Sequence, residues 1–325
     1  MDKIIVTGGS GFIGTNYIEF LLDNGVKDLI NIDIKKPSNP THIDFWCQCD
    51  ILDEKKLKQV MREFCPTHIV HLAAKTGVSE NSLPAFAANT DGVRNLINAS
   101  ASLPNLELII FTSSLLVCKM GYKPQNDTDY NPSTFYGQSK VIGEQIVRTQ
   151  ANLPYRWIIV RPISIWGPWF GEPYKNFFKA IAQGWYFHIG SGHYKRSLGY
   201  VGNTVFQLHK LLQAPKELVA GKTFYLADEQ PLDLYDMASE VRCVLGARKI
   251  RSFPKLVALS AALAGDVFKA LGWKSVPLTK FRLKNILTEY VFDMTPIMEI
   301  TGKLPYDYKS GVSRTIEWMK KTSEI

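Results

Sequence analysis

The chain has 325 residues, of which 46% are hydrophobic and 21% charged. That composition excludes a disordered chain, and the length suffices for a sizeable core and for two domains of ~150 residues. Lys and Arg outnumber Asp and Glu by 38 to 30, a net charge of +8 that suits an anionic partner. The densest basic clusters are pairs such as Lys35-Lys36 and Lys55-Lys56. The excess therefore reads as spread out, and nucleic acid is not an expected partner.

Five cysteines are an odd, low count. Cys47 and Cys49 stand one residue apart, too close for a paired-cysteine metal knuckle, and no His cluster joins them. No metal is expected, and the thiols read as free in a reducing compartment. Met1-Asp2-Lys3 runs into Ile4-Ile5-Val6 and then a glycine turn, which does not resemble a signal peptide. No uncharged apolar stretch reaches about 18 residues, so no spanning helix and a cytoplasmic location are expected.

Apolar bursts alternate with helical patterns over the first 160 residues. Lys3–Thr7 is a burst, and Phe12–Asp23 has helical spacing, with Ile13, Tyr17, Phe20 and Leu21 on one side. Leu29–Ile32 is the next burst, followed by an amphipathic helix from Ile51 to Phe64. His68–Leu72, Leu106–Phe111 and Arg156–Val160 read as strands, and Leu83–Ser100 and Tyr136–Arg148 as helices. Runs without alternation are strands covered on both faces. Their alternation with helices predicts an α/β, doubly wound parallel sheet of Rossmann type.

After Pro162 the texture changes. Trp166 to Tyr200 is rich in Gly, Pro and aromatics, as loops around a ligand cleft or a second core would be. Helices are expected at 203–212, 232–245, 256–271 and 312–320, and a late strand at Thr223–Leu226. Residues 1–165 are the expected dinucleotide-binding domain. Residues 166–325 mainly form a smaller α/β substrate domain packed directly against it, with parts near 197–226 returning to the first. The helix Leu256–Leu271 is rather apolar, which suits a steroid or a lipid-linked sugar. Asp266 and Lys269 interrupt it, so a packed helix is the expectation.

Thr7-Gly8-Gly9-Ser10-Gly11-Phe12-Ile13-Gly14 follows a strand and opens a helix. Gly8, Gly11 and Gly14 permit a tight turn, close approach of a pyrophosphate, and helix–strand packing. The helix start supplies free N–H groups to the phosphates. Asp33, 19 residues after Gly14, can accept from the ribose hydroxyls and favours NAD, since a carboxylate repels a 2′-phosphate. Lys35 and Lys36 leave NADP open. Asp50-Ile51 can cap the adenine side.

Tyr136 and Lys140 stand four apart on one helix face. A nearby ammonium lowers a phenol pKa, so Tyr136 can exchange a proton with a substrate hydroxyl. A hydroxyl from the 112–114 strand end can bond the same oxygen. Hydride then passes between that carbon and the nicotinamide.

With these motifs the chain resembles the extended short-chain dehydrogenases/reductases, in their NAD-dependent nucleotide-sugar epimerase/dehydratase group. The motifs are Thr7–Gly14, Asp33, Asp50-Ile51, His71–Lys75, Asn89, Phe111–Ser114, Tyr136–Lys140, Arg161-Pro162, Trp166–Pro168 and Arg196–Val201. The resemblance implies Ser114, Tyr136 and Lys140 as catalytic residues, with Ser113 beside the substrate. Leu72, Ala73, Ala74 and Lys75 would line the cofactor phosphates, with Phe12, Ile13 and Pro162 also in the cofactor site. Asn89 would lie near the nicotinamide, and Lys140 would also hold its ribose. Arg196 would meet the substrate diphosphate. Ser164 takes a place where many members have Asn.

Leu115 and Leu116 stand where the dehydratases carry Asp-Glu, so elimination of water is not expected. The resemblance then implies an enzyme acting on a hydroxyl, C4 foremost, of a nucleotide-diphosphate sugar through a keto intermediate, and a homodimer. A 4-ketoreductase or dehydrogenase shares this machinery. A steroid-type dehydrogenase and a non-catalytic NAD-binding module are the other readings, and the retained Tyr136 and Lys140 weigh against the last. His188 and His193 read as surface or core histidines.

Overall fold

The computed structural model describes residues 2–77, 80–150, 153–190, 194–273 and 278–325. The first half alternates as expected: β1 (Ile4–Thr7), α1 (Phe12–Asp23), β2 (Leu29–Asp33), β3 (Trp46–Gln48), α2 (Glu54–Phe64), β4 (His68–His71), α3 (Ala87–Ser100), β5 (Leu108–Thr112), α4 (Phe135–Arg148) and β6 (Arg156–Pro162). There follow β7 (Ile165–Trp166), α5 (Tyr174–Ala182), β8 (Phe187–Ile189), β9 (Lys195–Arg196), β10 (Gly199–Tyr200), α6 (Val201–Gln213), α7 (Lys216–Val219), β11 (Thr223–Leu226) and β12 (Leu232–Asp233). The chain closes with α8 (Leu234–Leu245), β13 (Arg251–Phe253), α9 (Lys255–Ala270), α10 (Lys280–Leu287), α11 (Thr295–Thr301) and α12 (Tyr308–Lys321).

Boundaries move where caps intervene. The amphipathic pattern from Ile51 becomes helical only at Glu54. Asp50 closes a turn on the Leu52 N–H at 2.9 Å, and Asp53 caps α2 through the Lys56 N–H at 3.0 Å. Likewise Leu83–Phe86 is a single 3₁₀ turn carrying Pro84, and α3 starts at Ala87.

The chain divides into two compact units. The first holds residues 1–169, 199–229 and 293–305; the second holds 170–198, 230–292 and 306–325. In the first, seven parallel strands run in the order β11-β6-β5-β4-β1-β2-β3. The order reverses between β1 and β4, so the carboxyl ends of those two strands open the crevice that such sheets use for ligands. Strands β1, β4 and β5 are buried almost throughout, which explains their unbroken apolar runs. Ile5, Ile32, Leu57, Met61, Ile69, Leu96, Ile109 and Ile159 share one core with α2, α3 and α4. Helix α1 packs beside α6, and α6 beside α11.

In the second unit β8 pairs with β13 and β9 with β12. Helix α8 packs against α5 and α12, and α9 against α10. The aromatic stretch supplies a core here: Phe178 is fully buried, edge-on to Phe170, which meets Trp318 in turn.

Candidate active site

The glycine loop lies where β1 ends. Gly8 has φ +73°, and a Cβ there would sit 2.5 Å from the Ala73 backbone nitrogen. The loop and the strand end after β4 are thus in backbone contact, an approach that only glycine permits. Gly14 closes on the other side, where a Cβ would meet the Gly8 carbonyl oxygen at 2.3 Å. Gly11 differs. Its φ of −80° is open to any residue, and the nearest atom to a Cβ would be 3.2 Å away. A Cβ there would still crowd the Gly8 carbonyl oxygen, though less than at Gly8 or Gly14, and the bare backbone also suits the approach of a pyrophosphate. No side chain caps the start of α1, the end at which a helix presents its positive dipole to an anion; the Gly11 N–H itself donates to the Gly8 carbonyl at 3.0 Å and closes the loop.

Asp33 closes the end of β2. Its Oδ2 accepts the Ser10 N–H at 3.0 Å and its Oδ1 the Lys35 N–H at 2.9 Å. Both oxygens keep a lone pair for ribose hydroxyls. Asp50 is exposed and engaged in its turn, while Ile51 is buried against Gly92 of α3.

After β4 the chain runs through Leu72, Ala73, Ala74 and Lys75. Leu72 N–H donates to the Thr7 carbonyl at 2.9 Å, and Ala73 N–H to the Thr7 hydroxyl at 3.3 Å. That hydroxyl lies 2.7 Å from His71 Nδ1. Burial, with Lys140 nearby, pushes His71 down to about 3, so the ring is neutral and serves as a fixed brace. Asn89 is buried with its amide engaged. Its Oδ1 accepts the Lys75 N–H at 2.8 Å, and its Nδ2 donates to the Lys75 carbonyl and to Ser139 Oγ at 2.9 Å each. The expected nicotinamide contact therefore becomes a strut that holds the Lys75 loop to α4.

Helix α4 starts at Thr134, whose hydroxyl accepts the Gly137 N–H at 3.0 Å. The cap fixes the first turn, and so sets Tyr136 and Lys140 on one face. Ser114 caps the 3₁₀ turn Leu115–Val117, with its Oγ accepting the Leu116 N–H at 3.1 Å. That bond leaves the hydroxyl hydrogen to donate. Ser114 and the Tyr136 hydroxyl are hydrogen-bonded partners. Ser113 is held by its N–H on the Val160 carbonyl at 2.7 Å, and its buried Oγ has no partner among the described residues.

Lys140 Nζ donates to the Thr112 carbonyl at 2.9 Å. Burial lowers Lys140 to about 8, against an opposing pull from Glu144. Tyr136 is shifted in the direction opposite to the expected one: burial pushes its phenol up, and only the bond from Ser114 works against that. The reason is that the ammonium is aimed at the carbonyl end of β5 and not at the phenol. The phenol is therefore held protonated.

Behind Lys140 lies a charged network that carries no recognisable motif. Arg161 grips Glu144 with two bonds, Nε to Oε1 at 2.8 Å and Nη2 to Oε2 at 2.7 Å, and both side chains are buried. Tyr130 donates to the same carboxylate at 2.9 Å, and Arg161 also donates to the Asp127 carbonyl and Tyr225. Glu144 was legible only through its position, one turn past Lys140 on the same face. Pro162 ends β6 opposite Leu226, and Ser164 follows with φ +46°.

Arg196 belongs to the second unit and is buried there. Its Nη2 donates to the carbonyls of Asn285 and Ile286, the latter at 2.8 Å, and the guanidinium lies over the Tyr290 ring. The planar fork expected for a diphosphate is thus partly engaged, while Nε has no partner among the described residues. His188 is buried and stacked on Tyr235 at 3.8 Å, a core histidine as expected. His193 and the Ser191-Gly192 turn lie outside the described residues. Among those described, no group of His, Cys, Asp and Glu could hold a metal.

Residues 4–227 match the family model described as the NAD dependent epimerase/dehydratase family. The chain is 27% identical over 325 residues to an N-acetyl-alpha-D-glucosaminyl-diphospho-ditrans,octacis-undecaprenol 4-epimerase of Escherichia coli O157:H7, covering 98% of this chain and 95% of that one. It is 24% identical to a decarboxylating sterol-4-alpha-carboxylate 3-dehydrogenase of Saccharomyces cerevisiae over 98% of both chains. Its fold matches UDP-glucose 4-epimerase of Thermotoga maritima with a TM-score of 0.75 and 20% identity, over 98% of this chain and 99% of that one.

Proposed function

From the premise that the chain belongs to the NAD-dependent epimerase/dehydratase family, we propose that it inverts C4 of a sugar carried on a diphosphate. The observation that carries this is the set Ser114, Tyr136 and Lys140, gathered at the carboxyl end of β5, the edge of the parallel sheet at which the glycine loop leaves β1. The glycine loop, Asp33, Asp50, Ile51 and the Leu72–Lys75 segment serve NAD, with Pro162 at the end of β6. The fit of NAD rests on the glycine loop, which lies bare against the Leu72-Ala73 backbone, and on the start of α1, which no side chain caps.

When bound, NAD would supply a ring that accepts hydride from C4 and gives it back. The protein's part is proton handling and orientation. Tyr136, once its own phenolic proton has been given up, would take the proton from the C4 hydroxyl and return it after the sugar turns its other face. Ser114 donates to the same oxygen, steadying it as it becomes a carbonyl. Lys140, tethered to the Thr112 carbonyl, would orient the cofactor ribose. Asn89 acts through Lys75 and Ser139 as a positioning residue. Leu115 is buried and Leu116 half-buried, so neither acid nor base is present to expel a hydroxyl, and dehydration is not part of the reading. Arg196 through its Nε, with Ser113 and Ser164, is assigned to substrate. The relative from Escherichia coli is named for a sugar on a lipid diphosphate, and the diphosphate is what nucleotide and lipid carriers share.

The test is incubation with C4-epimeric pairs, on UDP and on a polyprenyl diphosphate, with no added cofactor. Interconversion supports the reading. The sterol dehydrogenase relative favours a second one, net oxidation of a hydroxyl, in which reduced nicotinamide would accumulate instead.

A further inference from the structure

Helix α9 is packed inside out. Its buried side consists of small residues, Ala258, Ala262 and Gly265, set against Leu283 of α10. Its large apolar side chains face water: Leu256 is 77% exposed and Leu271 72%, with Leu263, Val267 and Phe268 also exposed. Trp273, 61% exposed, stacks on Phe268 at 4.9 Å. A surface helix normally turns its polar side outward. The helix is packed, as expected, but through its small residues on α10, and its large apolar face is left outside. Asp266 accepts the Lys280 N–H at 3.4 Å at the start of α10, and Lys269 is exposed.

The charge of the chain is concentrated in the same place, contrary to the expectation that it is spread out. Residues 246–287 contain nine Lys and Arg and one acid, Asp266. Taken from the totals of 38 and 30, this leaves 29 of each sign in the rest of the chain. The entire excess of +8 therefore falls in the stretch of sequence that contains α9. Apart from the pair Arg248-Lys249, the cations here are single residues set among apolar ones.

We propose that the exposed face of α9, with Trp273, docks in the plane of an anionic lipid bilayer. Large apolar side chains enter the headgroup boundary, an aromatic pair sits at its level, and Lys and Arg meet the anionic headgroups. At 16 residues α9 lies on a membrane, and no described helix is long and apolar enough to cross one. A second copy of this chain is the poorer occupant, because its own unopposed cations would face these. The inference goes beyond the proposed chemistry and does not rest on it.

The experiment is flotation of the full chain with phosphatidylcholine vesicles, with and without phosphatidylglycerol. The wild type floats with the anionic vesicles and far less with neutral ones, and salt weakens the binding. Val267→Glu with Leu271→Glu lowers the floated fraction by about tenfold or more. Lys280→Glu with Lys284→Glu lowers it on anionic vesicles only, and serves as the second test should the first variant fail to fold. NAD binding by the variants reports an intact first unit. A wild type that stays in the soluble fraction overturns the proposal, as do variants that float equally well. So does a wild-type dimer that does not float and that the α9 substitutions split.

Discussion

Lys140 Nζ is bonded to the carbonyl oxygen of Thr112 at 2.9 Å, which ties the catalytic face of α4 to the end of β5. The tie holds an ammonium in a buried place, and burial brings it down to about 8. A lysine with a lowered folded-state pKa destabilises the fold while it is charged in both states. That penalty is present in full below about pH 8 and is relieved as pH rises toward the unfolded value near 10.4. Between those limits the unfolded chain binds the extra proton, so stability rises with pH.

The first prediction follows. Denaturation of the cofactor-free protein should show wild type gaining on Lys140→Met between pH 8 and pH 10, by about 3 kcal/mol at most. A stability gap independent of pH would contradict this account of Lys140.

Tyr136→Phe should leave NAD binding and the fold intact while turnover falls roughly 10²–10⁴-fold. Ser114→Ala should lose less in turnover, because one neutral hydrogen bond is removed. Steady-state rates of both variants, with cofactor affinity measured in parallel, check this. Near wild-type turnover in Tyr136→Phe would move the proton transfer to another group.

Asp33 should make NAD bind better than NADP, because its carboxylate would meet the 2′-phosphate. In Asp33→Ala the gap should narrow, with Lys35 or Lys36 then free to pair with the phosphate. Dissociation constants by titration decide it, and tighter NADP binding by the wild type would refute the role given to Asp33.

Ser164 holds φ +46°, a conformation that Asn adopts more readily than Ser. Ser164→Asn should therefore raise stability by up to about 1 kcal/mol. A lower melting midpoint would indicate that the serine hydroxyl makes a bond worth more than the strain.

Arg161→Met leaves the Glu144 carboxylate buried without its fork. It should destabilise the protein by about 3–5 kcal/mol, as broken buried pairs do. Denaturant titration reads this directly, and a loss under about 1 kcal/mol would show that Arg148, whose Nη2 lies 3.6 Å from Glu144 Oε2, and Tyr130 compensate.

The parts of the site that were legible in the sequence are those whose chemistry demands a local pattern. The glycine loop was legible because Gly8 must pass beside Ala73, and Tyr136 with Lys140 because four residues span one helical turn. The sheet was legible because strands covered on both faces are apolar without interruption. What escaped depends on contacts across long separations. Asn89 reaches Ser139 and Glu144 reaches Arg161, and no spacing rule encodes either pairing. The lowering of the Tyr136 phenol was expected from the proximity of Lys140 in sequence, whereas its sign depends on where the ammonium points. The outward face of α9 escaped because an apolar helix reads the same whether its large side chains are packed or exposed.

The measurement that bears most directly on the central claim uses a diphosphate-linked sugar with deuterium at C4. Hydride removal and return within one bound sugar keeps the label at C4, so NMR should find deuterium at C4 in both epimers at equilibrium, with no net reduced nicotinamide. Loss of the label to water, or its transfer into released reduced cofactor, would contradict the account.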